Sequence, residues 1–181
     1  MSKILVVVDM QVDFINGALG TEEAQKIFPK VRDYLGNLED GTRVIFTRDT
    51  HYDHYLATLE GQKLPVPHCI EGTVGWQIPE ALTSLIPVPV IIDKPTFGSI
   101  KLMEVLKHWI AFESEECNGE ITEIEFCGLC TDICVVSNVL MARAHFPNMK
   151  ITVNSNLCAG VTPASHKMAL ETMKSCQIDV I

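Results

Sequence analysis

Cys134, Asp9 and Lys94 are the residues of this sequence best suited to attack on a carbonyl: a thiol, a carboxylate and an ammonium, each at or just beyond a short β-branched run. Cys134 precedes a helical stretch from Val135 to Ala144, with Asp132 or Thr131 able to cap it, which puts the thiol in the first turn. Partial positive charge at a helix start favours thiolate, the nucleophilic form. Asp9 closes an apolar strand, so burial should raise its carboxyl pKa and suit it to accept a thiol proton, while a neighbouring Lys94 would pull the other way. Each residue also has a plainer reading: a small buried thiol, a turn carboxylate, a solvated lysine. The chemical reading depends on the three coming together.

A second set has metal-ligand character. Asp49 and His51 are two apart near a strand end, so their side chains point the same way. His68 would supply a third ligand, and an Asp-His-His set with open positions fits a zinc-like, catalytically accessible site. Glu60, in the same stretch, is a possible fourth ligand and reads more simply as a solvated carboxylate. Phe14 and Trp76 could flank a flat ring, and serve equally as core aromatics.

The elements that must position these residues alternate. Strands are expected at Ile4 to Val8, Arg43 to Thr47, Val90 to Ile92, Ile124 to Cys127, Ile151 to Val153 and Ile178 to Ile181. Apolar residues at helical spacing mark helices over Glu22 to Leu38, where Pro29 invites a break, and Ser99 to Phe112, with Ser99 as a cap. Thr162-Pro163 opens a last helix over Ala164 to Lys174. The stretch 49–89 is rich in turn residues and reads as an irregular loop region that holds metal and substrate groups. This order predicts an α/β fold, a three-layer α/β/α sandwich around a six-stranded, mainly parallel sheet, in one domain over 1–181. Ligands of such sheets bind beyond the carboxyl ends of the strands, where Asp9, Arg48 to His51, Lys94 and the run Gly128 to Cys134 would all converge.

Composition narrows the function. The 181 residues carry a formal charge of −9, which argues against a nucleic-acid partner. No segment is long and apolar enough for a membrane span, and Asp9 interrupts the first apolar run before it resembles a secretory signal. Seven cysteines at uneven spacing, 47% hydrophobic and 20% charged residues suit a soluble cytoplasmic protein with reduced thiols. Glu113, Glu115 and Glu116 read as a solvated loop, and Cys117 fits no pattern.

Three ordered motifs carry a resemblance. Val7-Val8-Asp9-Met10-Gln11-Val12-Asp13-Phe14, then Asp93-Lys94 before Phe97, then Gly128-Leu129-Cys130-Thr131-Asp132-Ile133-Cys134-Val135, together resemble the isochorismatase-like cysteine hydrolases over nearly the whole chain. The resemblance implies a Rossmann-like sheet, an Asp9-Lys94-Cys134 triad, and a cis peptide at Leu129-Cys130 that aims the backbone amides of Cys130 and Cys134 at one oxyanion. Asp49-x-His51 followed by His68-Cys69-x-x-Gly72-Thr73 is similar to the nicotinamidase/pyrazinamidase branch. That branch implies hydrolysis of nicotinamide or a similar small carboxamide through a cysteine thioester, with a divalent metal beside the triad. Zn2+ is the expected ion, with Fe2+ or Mn2+ as alternatives, and homo-oligomers are common. Tyr52 and Asp53 stand before His54 where the branch has proline after the first histidine, so His54 is a weak substrate contact. Two other readings are an isochorismatase-like hydrolase with another small substrate, and a thiol redox or iron-sulfur protein built on Cys127, Cys130 and Cys134.

Overall fold

A strand covered on both faces should be apolar at every position, and Ile4 to Val8 are all fully buried within β1 (Ser2–Val8). The computed structural model describes residues 2–116 and 120–181, with the backbone alone for 113–116. After β1 come α1 (Val12–Ile15), α2 (Glu22–Leu35) and β2 (Arg43–Asp49). A 3-10 turn at Tyr55–Ala57, α3 (Leu59–Lys63) and α4 (Glu80–Thr83) precede β3 (Val90–Lys94). The second half runs through α5 (Ile100–Glu116), β4 (Ile121–Leu129), a π turn at Thr131–Val135 and α6 (Val136–His145). It closes with β5 (Lys150–Ala159), α7 (Pro163–Ser175) and β6 (Asp179–Val180).

Every neighbouring strand pair is parallel, in the order β3-β2-β1-β4-β5-β6. The chain therefore steps one way from β1 to β3, crosses back to β4, and steps the other way to β6. Right-handed crossovers in the two directions place helices on opposite faces. Accordingly α2 packs with α1 and α4, whereas α5, α6 and α7 pack in succession. The result is the expected three-layer sandwich, and its direction of winding reverses between β1 and β4. Among the described residues no helix is long and apolar enough to cross a membrane.

Local expectations hold in part. Thr162 accepts a hydrogen bond from the Ser165 amide at 3.1 Å and Ser165 answers the Thr162 amide at 3.1 Å, so the cap-then-proline order does start α7. Ser99 caps α5 by accepting from the Leu102 amide at 3.1 Å. α2 runs through Pro29 unbroken and stops at Leu35, short of the expected Leu38, because Ala24, Ile27, Val31 and Leu35 anchor it on the sheet on both sides of the proline. α5 continues to Glu116, so the acidic run is helical backbone and not a loop; Cys117 and the side chains of Glu113, Glu115 and Glu116 lie outside the described residues. The stretch 49–89 has more order than its composition suggests. His51 and Ile70 form a parallel bridge in which the His51 amide donates to the Cys69 carbonyl at 2.9 Å and the Glu71 amide to the His51 carbonyl at 2.8 Å.

Candidate active site

The reversal point leaves a crevice beyond the carboxyl ends of β1 and β4, and the two strands need a close approach there. Gly128 permits it: at φ +116°, a Cβ would stand 2.1 Å from the Val8 carbonyl oxygen. Asp9 follows Val8 with φ +46° and is fully buried. Across β4 the chain turns through the cis peptide Leu129-Cys130 into the π turn that holds Cys134. From β3, Lys94 reaches in at 1% exposure.

These three residues meet. The Lys94 Nζ lies 2.7 Å from Asp9 Oδ2, 3.4 Å from the Cys134 Sγ and 3.2 Å from Asp49 Oδ1. Burial opposes the ammonium charge, but Asp9, the Cys134 sulfur and Asp49 outweigh it and hold the Lys94 pKa well above its ordinary value. Burial raises the Asp9 carboxyl, against the opposing pull of Lys94. Asp49 goes the other way: burial is overcome by His51 and Lys94, and its pKa falls. For Cys134 the sequence expectation of a thiolate favoured by the helix start is corrected. Burial, followed by the Asp9 carboxylate, pushes the thiol well above its ordinary range despite the opposing pull of Lys94. Neither Asp132 nor Thr131 caps the turn: Asp132 Oδ1 accepts from the Val161 amide at 3.0 Å, and the Thr131 hydroxyl pairs with His166 Nδ1 at 2.8 Å. Among the described residues, neither the Cys130 nor the Cys134 amide donates to a backbone carbonyl outside its own element.

The bridge at His51 brings the second set together. His51 Nε2 is 3.0 Å from Asp49 Oδ2, and His68 Nε2 is 3.8 Å from the same oxygen. Glu60 Oε1 stands 3.6 Å from His51 Nε2 and 3.9 Å from His68 Nε2, so the possible fourth ligand, and not the solvated carboxylate, is the reading that the position on α3 favours. One ligand atom from each of Asp49, His51, Glu60 and His68 lies within 4.8 Å of the others. Two details fit this set to a divalent cation. His51 Nε2 is buried with the Asp49 carboxylate at 3.0 Å and Glu60 at 3.6 Å as neighbours but without an aligned hydrogen bond, and His68 Nδ1 is engaged by the Val66 carbonyl at 2.8 Å, which leaves Nε2 facing the carboxylates. This oxygen and nitrogen donor set suits such an ion.

A cavity of about 590 Å³ opens over both sets, lined by Phe14, Asp49, His68, Cys130 and Cys134 among others. Phe14 is one of the lining side chains and is also packed in the core. Trp76 and His54 do not line the cavity. The Arg48 guanidinium sits 3.4 Å above the Trp76 ring and the indole N–H donates to Thr50 Oγ1 at 2.9 Å, while His54 is exposed and stacks on Tyr52. Cys127 is fully buried within β4, away from the cavity lined by Cys130 and Cys134, and among the described residues these three sulfurs form no metal-binding group.

Several positioning residues were not singled out from sequence. The Gln11 side chain brackets Asp49, accepting from its amide at 2.7 Å and donating to its carbonyl at 2.9 Å. Asp13 Oδ2 accepts from the Cys69 amide at 2.8 Å and so fixes the peptide after His68. Thr47 Oγ1 donates to Asp9 Oδ1 at 2.7 Å. Gln11 and Asp13 stand in the same run as Asp9, and that proximity was the available signal.

The isochorismatase domain family matches residues 3–181. The nicotinamidase of Schizosaccharomyces pombe is 28% identical over 209 residues, which span 98% of this chain and 91% of that protein. The crystal structure of the nicotinamidase/pyrazinamidase PncA from Bacillus subtilis superposes with a TM-score of 0.80 at 27% identity and covers 99% of each chain. The pyrazinamidase of Pyrococcus horikoshii, solved in complex with zinc, gives a TM-score of 0.76 at 28% identity over 99% of this chain and 98% of that one.

Proposed function

The chain belongs to the isochorismatase domain family and is a nicotinamidase-like amidohydrolase, and from that premise we propose that it hydrolyses nicotinamide, or a closely similar aromatic carboxamide, to the acid and ammonia, with Cys134 as nucleophile. The observation that carries this is one buried ammonium, Lys94, in contact with a carboxylate, a thiol and a carboxylate of the metal-type cluster at 2.7, 3.4 and 3.2 Å.

In this reading Asp9 takes the proton of the Cys134 thiol as the sulfur attacks the amide carbon. The carbonyl electrons move onto oxygen, and the amides of Cys130 and Cys134 are the donors available to that oxyanion. Asp9 then returns the proton to the departing nitrogen, and ammonia leaves a thioester on Cys134. Water, deprotonated by Asp9, hydrolyses the thioester and releases the acid with the thiol restored. Lys94 holds both partners in place and offsets the negative charge that passes between them. Asp49, His51, Glu60 and His68 would hold a divalent cation, zinc being the ion of the Pyrococcus relative, and it would supply a Lewis acid beside the ring of the substrate. Phe14 would pack against that ring.

Ammonia release from nicotinamide by metal-loaded protein tests the reading. Cys134→Ala should abolish it with the far-ultraviolet circular dichroism unchanged. Full residual turnover in that variant would refute the nucleophile, and no ammonia from the native protein would refute the substrate.

A further inference from the structure

The cavity over Cys134 is larger than a single-ring carboxamide needs, and we propose that its mouth is a binding subsite for an apolar substituent on the ring, so that the preferred substrates are alkyl- or aryl-substituted aromatic carboxamides. This rests on the amidohydrolase reading above and narrows its substrate class. A volume of about 590 Å³ falls in the range, roughly 300–1,000 Å³, of pockets that enclose ligands much larger than one ring and an amide. Its floor is buried: Asp49, His68 and Cys134 are 3%, 2% and 5% exposed. Its mouth is not. Leu59, Leu64, Phe97 and Val161 line the same cavity yet remain 70%, 39%, 46% and 49% exposed, so large apolar side chains surround the way in to the reacting groups.

The walls are tied to the site itself. The Val161 amide donates to Asp132 Oδ1 at 3.0 Å, within the π turn that carries Cys134. The buried Asn138 side chain donates to the Phe97 carbonyl at 3.0 Å and to the Cys134 carbonyl at 2.8 Å, which couples the Phe97 wall to the peptide of the nucleophile. The Leu64 carbonyl accepts from the Tyr55 hydroxyl at 2.9 Å, and Thr58 caps α3 at its first turn by accepting from the Gly61 amide at 3.0 Å, just after Leu59. A wall formed before the ligand arrives binds an apolar group at little cost in ordering. Asp49 and Glu60, which also line the cavity, belong to the metal-type cluster, so Lys63 is the charged side chain of the lining left outside it.

The test compares ammonia release from nicotinamide, 5-propylnicotinamide and 6-propylnicotinamide by the metal-loaded protein. At least one propyl isomer should show a KM lower by about tenfold at similar kcat, the signature of added binding shared by ground and transition states and the scale of about two buried methylenes. In Leu59→Ser and Phe97→Ser the ratio of the two KM values should fall to within about twofold. Propyl isomers that bind no better than nicotinamide, or an advantage that survives both substitutions, would overturn the subsite. So would a dimer, seen by sedimentation, that Leu59→Ser dissociates, since the exposed side chains would then belong to a second copy. If nicotinamide itself is inert, the proposed function fails separately, and titration of the same three amides into Cys134→Ala protein still decides: a Kd lower by about tenfold for a propyl isomer upholds the subsite, and equal values overturn it.

Discussion

One ammonium between two buried carboxylates is an unbalanced arrangement, and Lys94 is held in it at 1% exposure. The imbalance settles unequally, with Asp9 pushed up and Asp49 down, because Asp49 also has His51 at 3.0 Å. Asp9 is thereby the carboxylate better matched to trade a proton with a thiol. Removing the cation should be costly. Lys94→Met leaves two desolvated carboxylates facing each other, and urea unfolding should report a loss of about 3–5 kcal/mol, part of which Lys94→Met with Asp9→Asn recovers. A single variant as stable as the native protein would show that the ammonium does not hold the pair. Gln11 acts at one remove. Gln11→Leu keeps the volume but releases both backbone bonds to Asp49, so zinc affinity, measured by competition with a chromophoric chelator, should fall about 10–100-fold. Unchanged affinity would reduce Gln11 to packing.

Two junctions between elements control how accurately those residues meet. At the first, β1 and β4 approach so closely beneath Asp9 that Gly128→Ala would both press on the Val8 carbonyl and strain a positive φ. The expected loss is about 2–5 kcal/mol in urea unfolding, and a neutral substitution would mean that the strands can separate there without consequence. At the second, His166 of α7 braces the π turn through Thr131. Burial lowers the His166 pKa against the opposing pull of Asp132, so the folded value lies below the unfolded one of about 6.5. Its neutral form contributes stability above the unfolded value, and that contribution fades as pH falls through the folded one. Urea midpoints between pH 7 and pH 5 should therefore decline, and less steeply in His166→Asn; parallel declines would exclude His166 as the source. Legibility follows the same division. Asp9, Lys94 and Cys134 could be read because each ends or follows an apolar run, and parallel winding carries all such ends to one edge. Glu60 could be read only as a possible fourth ligand, since its place depends on the pairing of His51 with Ile70 across a turn-rich stretch. The surroundings of Trp76 are equally hidden: nothing local announces that Arg48, held by Asp93 at 2.6 Å, will occupy its face.

Across the whole molecule, the apolar core belongs to the sheet and its helices, whereas the stretch between β2 and β3 depends heavily on polar ties. Asp49 ends β2, His51 lies in the bridge, Glu60 is on α3 and His68 precedes the returning strand of that bridge. A cation shared by these four would close a loop of about twenty residues against the sheet edge, and α3 also carries Leu59 at the cavity mouth. Binding to the folded state alone would stabilise it by about 4 kcal/mol at a thousand times Kd. Its loss should act locally, because the fully buried Ile4 to Val8 and Phe126 have no part in the cluster. Chelation should therefore speed hydrogen exchange at the amides of His51, Cys69 and Glu71, leave β1 and the centre of β4 protected, and have less effect in Glu60→Gln, where the loop is already looser. Equal acceleration in β1 and β4 would mean that the cation supports the entire fold. No response in either region would mean that the four side chains do not share an ion, and the Lewis acid assigned to the reaction would fall with it.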